Sequence, residues 1–425
     1  MNGTKMEKRS KVVELHQVAD VIDSLHQTPE YSSLGYPMVR VTDIKGGFLN
    51  TSNCLKVSPE IFKEYIKKYL PKRGDIVISR VGSYGITSYV NHEFRFCLGQ
   101  NTAIIVPKID DRYLFYCFQS DYVKNQIENC VVGSSQKTLS LKLIKDLKIS
   151  VFDSQDQHNI ARILGSLDDK IELNRQMNET LEAMGRAIFK SWFMDFDPVR
   201  AKARGGQPAG IDVETMAQLP ERFEDSEIGE IPSGWKIEHF EKILRHSTER
   251  IGSEPAVEYS ATVTGLTLRD ERFNKQLSKT REKNKKIVKG DFVFGLSRKV
   301  VNFGLMKEKI GSVSPVYEIF KVNSDIYIPE LLEMKIRYDM SNYIDILKPS
   351  AREGQGIDRE YLLSKVILVP DMRIQKKYFQ IYSLLQQKIE SNEQQSRTLA
   401  QIRDELLPKL MNGEIQVEGM KEVVT

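Results

Sequence analysis

The sequence predicts an α+β chain. Two globular domains, each a mixed sheet with helices, are expected to be separated by two long antiparallel helices forming a coiled-coil-like spacer, the whole a pseudo-two-fold internal repeat. Three observations lead there. First, residues 157–192 align without a gap on residues 375–410 at a shift of 218, with Lys170-Ile171-Glu172 on Lys388-Ile389-Glu390 and Thr180-Leu181 on Thr398-Leu399. Second, both stretches carry an apolar seam at spacings of four and three: Ile160, Leu164, Leu167, Ile171, Leu181 and Ile188 in one, Tyr378, Tyr382, Leu385, Ile389, Leu399 and Leu406 in the other. That spacing lines one face of a long helix and suits packing on a second such helix. The seam turns polar at the same place in both, at Asn174 and Asn392; such a residue costs stability but specifies register when it finds its partner. Third, the rest of the second half retells the first: Gly74-Asp75 matches Gly290-Asp291 at a shift of 216, Ser79-Arg80 matches Ser297-Arg298 at 218, and Ile149 and Val151 match Ile367 and Val369 at 218.

The bulk properties are compatible with this. A chain of 425 residues, 40% hydrophobic and 28% charged, has room for two or three soluble globular domains. No apolar run approaches the ~18 residues of a membrane span. The first residues lack the apolar centre of a signal peptide, so a cytoplasmic location is expected. Cys54, Cys97, Cys117 and Cys130 form no C-x-x-C pair and have no histidine at ligand spacing. They read as small reduced residues in a core rather than metal ligands. The net charge of +4 permits nucleic-acid binding without requiring it, so the placement of charge matters more than its sum.

Taken in order, residues 11–153 read as the first mixed domain, opened by 12–22. A strand is expected over 36–44, ended by the turn-forming Gly46-Gly47. A helix is expected from Pro59 to Tyr69, with Ile61, Phe62, Tyr65, Ile66 and Tyr69 on one face and Pro71 as its stop. The turn Lys72-Arg73-Gly74-Asp75 leads into the apolar strand Ile76-Val77-Ile78. A strand over 102–106, a helix over 113–126 and a short strand at Ile149-Ser150-Val151 complete the domain. Residues 193–232 read as a connector, with loop composition at 203–208. The second domain repeats the plan, with a strand over 257–264, a basic segment and a strand over 291–294. The residues from Gly413 onward form a polar tail, expected to fray.

No catalytic constellation is visible. The chain has no G-x-x-x-x-G-K-[ST] loop, no G-x-G-x-x-G turn and no H-E-x-x-H helix. It has no Asn-Pro-Pro or Asp-Pro-Pro tripeptide to grip a base amine, and Pro370-Asp371 is followed by no acidic-x-Lys nuclease motif. What it has is paired basic segments. Lys63, Lys67, Lys68, Lys72 and Arg73 precede the first Gly-Asp, and Lys275, Lys279, Arg281, Lys283, Lys285, Lys286 and Lys289 precede the second. Clustered cations neutralise phosphates and orient a protein on DNA. Beyond the Gly-Asp strands lie Arg80, Ser83, Tyr84 and Thr87 in one copy and Arg298, Lys299 and Asn302 in the other. Arginine can grip guanine, and asparagine adenine, through two hydrogen bonds. The expected DNA-contact set is therefore Lys67, Lys68, Lys72, Arg73, Arg80, Ser83, Tyr84, Lys279, Arg281, Lys283, Lys285, Lys286, Arg298, Lys299 and Asn302. For either segment alone, a solvated charged loop with a structural Ser-Arg is the ordinary reading; their recurrence at matching positions favours DNA. The seam alone is equally explained by a generic helical hairpin or dimerisation device. Its placement after each globular copy favours a spacer, about 35 residues spanning on the order of 50 Å, about one and a half turns of duplex DNA at roughly 34 Å.

Three stretches carry a family resemblance: Phe189-Lys190-Ser191-Trp192-Phe193-Met194-Asp195-Phe196-Asp197-Pro198-Val199-Arg200-Ala201-Lys202 after the first long helix, Glu227-Ile228-Gly229-Glu230-Ile231-Pro232-Ser233-Gly234-Trp235-Lys236 before the second domain, and the Gln157 and Gln375 helix starts after short apolar strands. With the two Gly-Asp strands, in this order over nearly the full length, the chain resembles the specificity (S) subunit of a type I restriction–modification system. The resemblance implies a first target-recognition domain over 1–155, a central spacer helix over 156–195, a connector over 196–232, a second target-recognition domain over 233–371, a distal spacer helix over 372–412 and a tail over 413–425. Each domain would read one half of a split DNA site, and the helices would act as a ruler and as the platform for two methyltransferase (M) subunits, joined by restriction/translocase (R) subunits. S-adenosylmethionine, ATP and Mg²⁺ would be bound by those partners, and this chain would be non-catalytic, without metal or cofactor. One departure stands out: no Ile-Pro-x-Gly-Trp precedes the first domain. No base contact transfers by motif. The competing readings are a coiled-coil adaptor without specific DNA readout and a single-chain restriction enzyme with a degenerate site, the latter opposed by the missing motifs.

Overall fold

The structure, a computed structural model, describes residues 10–130, 138–206, 211–269, 281–296, 300–347 and 356–417. The chain divides into two compact units, one of Met1–Asn178 with Glu390–Thr425 and one of Glu179–Ile389.

The first unit opens with β1 (Lys11–Glu14), the one-turn helix α1 (Leu15–Val18) and β2 (Ala19–Asp23), followed by β3 (Tyr36–Val39), β4 (Lys56–Val57), α2 (Pro59–Tyr65), β5 (Ile76–Ser79), β6 (Thr87–Tyr89), β7 (Cys97–Leu98) and β8 (Thr102–Pro107). Then come α3 (Asp111–Gln119), α4 (Asp121–Cys130), α5 (Leu141–Lys145), β9 (Lys148–Val151) and the start of α6 (Ser154–Phe193). An antiparallel sheet of order β2-β8-β5-β6 forms its centre. Side chains alternate faces along a strand, and β5 shows both faces in use. Ile76 and Ile78, with Ala103 and Ile105, pack on Tyr113, Leu114 and Phe118 of α3, while Val77 and Ile104 pack on Phe96 and on Val39 and Leu98 of the second sheet, β4-β3-β7. Burial on both faces is why this strand reads as an unbroken apolar run. β1 pairs antiparallel with β9, Lys11 opposite Val151.

The second unit repeats that topology. It contains α7 (Asp197–Ala203), α8 (Val213–Gln218), β10 (Phe223–Glu224), β11 (Ile231–Pro232), β12 (Lys236–His239), α9 (Phe240–Ile243), β13 (Leu244–Ser247), β14 (Glu258–Ala261), β15 (Leu266–Leu268), β16 (Lys285–Val288), β17 (Asp291–Phe294), β18 (Phe303–Leu305), β19 (Ile310–Val313) and β20 (Glu318–Val322). α10 (Pro329–Tyr338), α11 (Arg359–Ser364), β21 (Val366–Val369) and the start of α12 (Met372–Met411) complete it. The sheet β13-β20-β17-β18 matches β2-β8-β5-β6, and β12 pairs with β21 as β1 does with β9. The parallel pair β14·β19 matches β3·β7. Phe292, Phe294, Phe303 and Phe320 pack on Leu331, Leu332 and Ile336 of α10, and Val293 and Ile319 face the second sheet. The duplication is thus one of fold as well as of sequence.

α6 and α12 begin and end at the same shift of 218 residues. Each starts behind an aspartate that caps it: Asp153 accepts from Asp156 N at 2.9 Å and Asp371 from Arg373 N at 2.8 Å. These carboxylates satisfy amides that a helix start leaves without partners. α6 ends before Phe196, which holds a left-handed φ of 57°, and α12 before Gly413, at 77°. No helix among the described residues is long and apolar enough to cross a membrane.

Several expected elements end early for local reasons. The strand expected over 36–44 stops at Val39, because Asp43 accepts from Arg40 N at 2.9 Å and pairs with its guanidinium, folding a 3₁₀ turn over Val41–Asp43. The helix expected over 113–126 is two helices broken at Ser120, whose hydroxyl donates to Cys117 O at 2.6 Å and so competes with the helical ladder. The strand expected over 257–264 turns back at Thr262, whose N–H donates to Gly265 O at 2.8 Å, into β15. The connector is not a loop throughout: Val199, Ile211, Leu219 and Ile231 are buried in the core of the second unit. Cys54, Cys97 and Cys117 are buried and unpaired, with thiols pushed up to about 12 by burial, whereas Cys130 is exposed.

Candidate nucleic-acid interface and helix pair

The Gly-Asp pair builds the same turn twice. Gly74 and Gly290 hold φ of 91° and 90°, a conformation that favours glycine. Gly74 N donates to Val90 O and Gly290 N to Met306 O, each at 2.9 Å. Asp75 accepts from Lys72 N at 2.7 Å and Asp291 from Val288 N at 2.9 Å. Both carboxylates are buried, and burial raises both pKa values, that of Asp75 to about 6. The pair launches β5 and β17; the loop 80–86 follows the first strand, and residues 295–296 and 300–302 lie between β17 and its partner β18.

In the strands the shift of 216 persists, since Ile76 faces Tyr89 as Phe292 faces Leu305. Ser79 therefore corresponds to Gly295 rather than to Ser297. Each loop is closed by a different side chain. Ser79 Oγ accepts from Ile86 N at 3.0 Å, and Asn302 Nδ2 donates to Leu296 O at 2.8 Å.

The structure divides the expected DNA contacts. Lys67, Lys68, Lys72 and Arg73 are exposed on the run from α2 to the turn and form no ion pair among the described residues. Arg281 and Lys283 are exposed in the 3₁₀ turn before β16, and Ser83 is exposed at the tip of its loop. Arg80 is held inside: it pairs with Asp23 and donates to Leu139 O at 3.1 Å. Tyr84 donates to Glu128 at 2.9 Å. Lys285 donates to Tyr317 O at 2.5 Å, and burial lowers its pKa. Lys286 pairs with Glu254 at 2.8 Å and Glu249 at 3.6 Å, and Asn302 closes its own loop. Arg80, Tyr84, Lys285, Lys286 and Asn302 therefore each have a partner within the chain. Lys279, Arg298 and Lys299 lie outside the described residues. The described parts of the two basic segments also differ in form, an α-helix and loop in one copy and a 3₁₀ turn with an edge strand in the other. Glu14, His16 and Asp146 gather three ligand atoms within 4.8 Å, but His16 and Asp146 are exposed and Lys148 holds Glu14 at 2.5 Å, and we assign no ion there.

In the first unit, numbers rise along α6 as they fall along α12: Asn159 Nδ2 reaches Val417 O at 3.5 Å, Asp168 meets Arg403 at 2.6 Å, and Asn174 Nδ2 meets Gln395 Oε1 at 2.9 Å. Asn174 also donates to Asn392 O at 3.3 Å and Ser396 Oγ at 3.2 Å, while Asn392 donates to Asn178 at 2.8 Å. Ile160 and Leu164 share a core with Leu407 and Leu410. Asp168, itself buried, takes Tyr116 OH at 2.6 Å as well as Arg403, so α3, α6 and α12 meet at one carboxylate. In the second unit the helices are also antiparallel. Tyr378 OH donates to Gly185 O at 3.0 Å, and Tyr378 packs among Phe189, Trp192 and Phe193. Of the seam, Ile160, Leu164, Asn174, Tyr378, Ile389 and Asn392 are buried, and Leu167, Ile171, Leu181, Ile188, Leu385, Leu399 and Leu406 are half-buried.

Sequence reasoning missed the Asp168–Arg403–Tyr116 contact, which nothing in the spacing announces. It also missed the caps Asp153 and Asp371, although their separation equals that of the helices. Gln157 and Gln375, in the first turn of α6 and α12, are both buried. Gln157 Nε2 donates to Phe152 O at 2.8 Å, and its Oε1 accepts from Asp110 N at 3.3 Å. Gln375 Nε2 donates to Pro370 O at 2.9 Å and Ile326 O at 3.0 Å, and its Oε1 accepts from Ile328 N at 2.9 Å.

Residues 7–183 match the family described as type I restriction modification DNA specificity domain. The chain is 25% identical over 386 residues to the type I restriction enzyme MjaIX specificity subunit of Methanocaldococcus jannaschii, covering 86% of this chain and 82% of that one. It is 25% identical over 413 residues to the HindI specificity subunit of Haemophilus influenzae, covering 81% and 87% respectively. In fold it is similar to the crystal structure of a type I restriction–modification S subunit from M. genitalium, with a TM-score of 0.52, 15% identity, and coverage of 96% of this chain and 98% of that one.

Proposed function

With residues 7–183 belonging to the type I restriction modification DNA specificity domain family, we propose that this chain is the DNA sequence-specificity subunit of a type I restriction–modification complex. One observation carries the reading. A single domain topology is built twice, and each unit contains its own segments of both long helices, which supports two readers for the two halves of a gapped site. The helices then set the spacing and dock two methyltransferase subunits. Restriction/translocase subunits join for cleavage, in the cytoplasm with the DNA they act on.

This chain supplies recognition and no chemistry of its own. S-adenosylmethionine, ATP and Mg²⁺ belong to the partners, in keeping with the lack of phosphate loop, base-gripping tripeptide and nuclease motif in the sequence. Lys67, Lys68, Lys72 and Arg73 in the first copy, and Arg281 and Lys283 in the second, are the described cations we assign to DNA phosphates, because they are exposed and uncommitted. Such contacts position a protein without reading sequence. Ser83, at the tip of the loop after β5, is our candidate for base contact in the first copy. The adaptor reading is not favoured, since relatives matching over four-fifths of the chain are named as specificity subunits.

The test is the methylome of a host carrying the whole operon, with and without this gene. A two-part gapped motif that vanishes with the gene is expected, and exchange of residues 11–153 for another reader should change one part alone. Methylation that is unaltered by loss of the gene overturns the reading.

A further inference from the structure

We propose that Gln157 and Gln375 are positioning residues for DNA readout: each fixes the pose of one reading domain on its long helix, and so each governs fidelity at one half-site. The inference rests on the chain being a DNA specificity subunit. Its ground is a contact built twice. In both copies a buried amide sits near the start of a long helix, donates back to the carbonyl five residues before it, and accepts from the N–H that precedes a sheet-packing helix. Asp110 and Ile328, which supply that N–H, are the N-cap residues of α3 and α10. A single side chain therefore joins the end of the last strand, the long helix and the helix on which the central sheet lies.

The surroundings have diverged while the contact has not. Asp110 caps α3 through its own carboxylate, whereas Ile328 gives α10 no side-chain cap and Pro329 follows it. Starting the long helices does not require these glutamines, because Asp153 and Asp371 already cap them. What the amide adds is direction. Apolar packing tolerates small slides and rotations, but a buried amide is satisfied only where its donor and acceptor both meet partners. Each latch lies wholly within its own unit, so the two are expected to act independently.

The test uses the complete complex in cells, with the methylated motif read by sequencing. Gln157→Met keeps the length and removes donor and acceptor; Gln375→Met does the same in the other copy. Each variant is expected to admit single mismatches in one half of the motif, and a different half for each, with discrimination there falling on the order of tenfold, as when one buried polar group loses its partner. Gln157→Glu, which keeps the acceptor for Asp110 N, should relax the same half less, and it decides the matter if the Met variant does not accumulate. Relaxation of both halves alike, of the same half by both variants, or no relaxation in stably folded variants overturns the proposal. If the unaltered chain yields no two-part motif, the functional reading itself has failed, and that outcome is distinct from an unaltered motif in the variants.

Discussion

At the residue scale, Asp75 shows how a turn is secured at a cost. Its carboxylate ties Lys72 N and the Tyr69 hydroxyl, at 2.7 and 3.0 Å, just where Gly74 turns the chain into β5. Burial raises its pKa to about 6, above the unfolded value near 4. The folded chain therefore holds this proton more tightly than the unfolded one. The stabilisation that protonation brings is complete below about 4 and is lost as the pH rises through about 6. Asp75→Asn cannot ionise, so the difference in urea stability between variant and unaltered chain should shift in favour of the variant from about pH 4.5 to about pH 7. The amide still faces two donors with one acceptor, which adds a constant penalty, so the slope is the diagnostic quantity. A difference that stays flat over that range contradicts the account.

At the element scale, the long helices are held by two kinds of contact. Asp168 is buried and serves both Arg403 and Tyr116. Asp168→Ala leaves a half-buried guanidinium and a buried phenol short of a partner, though Asp404 still holds Arg403 at 2.7 Å. A loss of about 2–4 kcal/mol is expected in urea unfolding, with Asp168→Asn losing less. The amide layer behaves oppositely. Asn174 Oδ1 has no hydrogen-bond partner among the described residues, and its neighbours Gln395 and Ser396 are exposed or half-buried. Replacing Asn174 and Asn392 together by leucine should stabilise the chain by about 1–2 kcal/mol while loosening register, as removal of a polar seam layer does. A double variant that unfolds at lower urea would refute this. These helices were legible because the seam keeps one period from 160 to 188 and again from 378 to 406, within helices of 40 residues each. The shorter elements were not, because a strand is cut at Asp43 and a helix at Ser120 by single side chains whose hydrogen bonds to nearby backbone override an apolar run.

At the scale of the whole molecule, the basic segments show what sequence cannot supply. A run of lysines announces charge, but whether the charge is free depends on carboxylates brought in by the fold. Arg80 meets Asp23 across 57 residues, and Lys285 lies 4.0 Å from Glu318. The repeat was legible because it recurs in one chain; the division of cations into committed and free was not. That division is measurable. Each phosphate contact contributes about 0.9 to the fall of log affinity with log salt. Changing Lys67, Lys68, Lys72 and Arg73 together to glutamine should flatten the slope of the assembled complex by about 3 to 4 and weaken binding alike on cognate and unrelated duplexes, leaving the methylated motif intact. Changing Lys285 and Lys286 instead should leave the slope in place and lower the urea midpoint, chiefly through Lys285, because their ammonium groups are spent on Tyr317 O, Glu249 and Glu254. If the second pair flattens the slope and the first four do not, the free cations have been assigned to the wrong face.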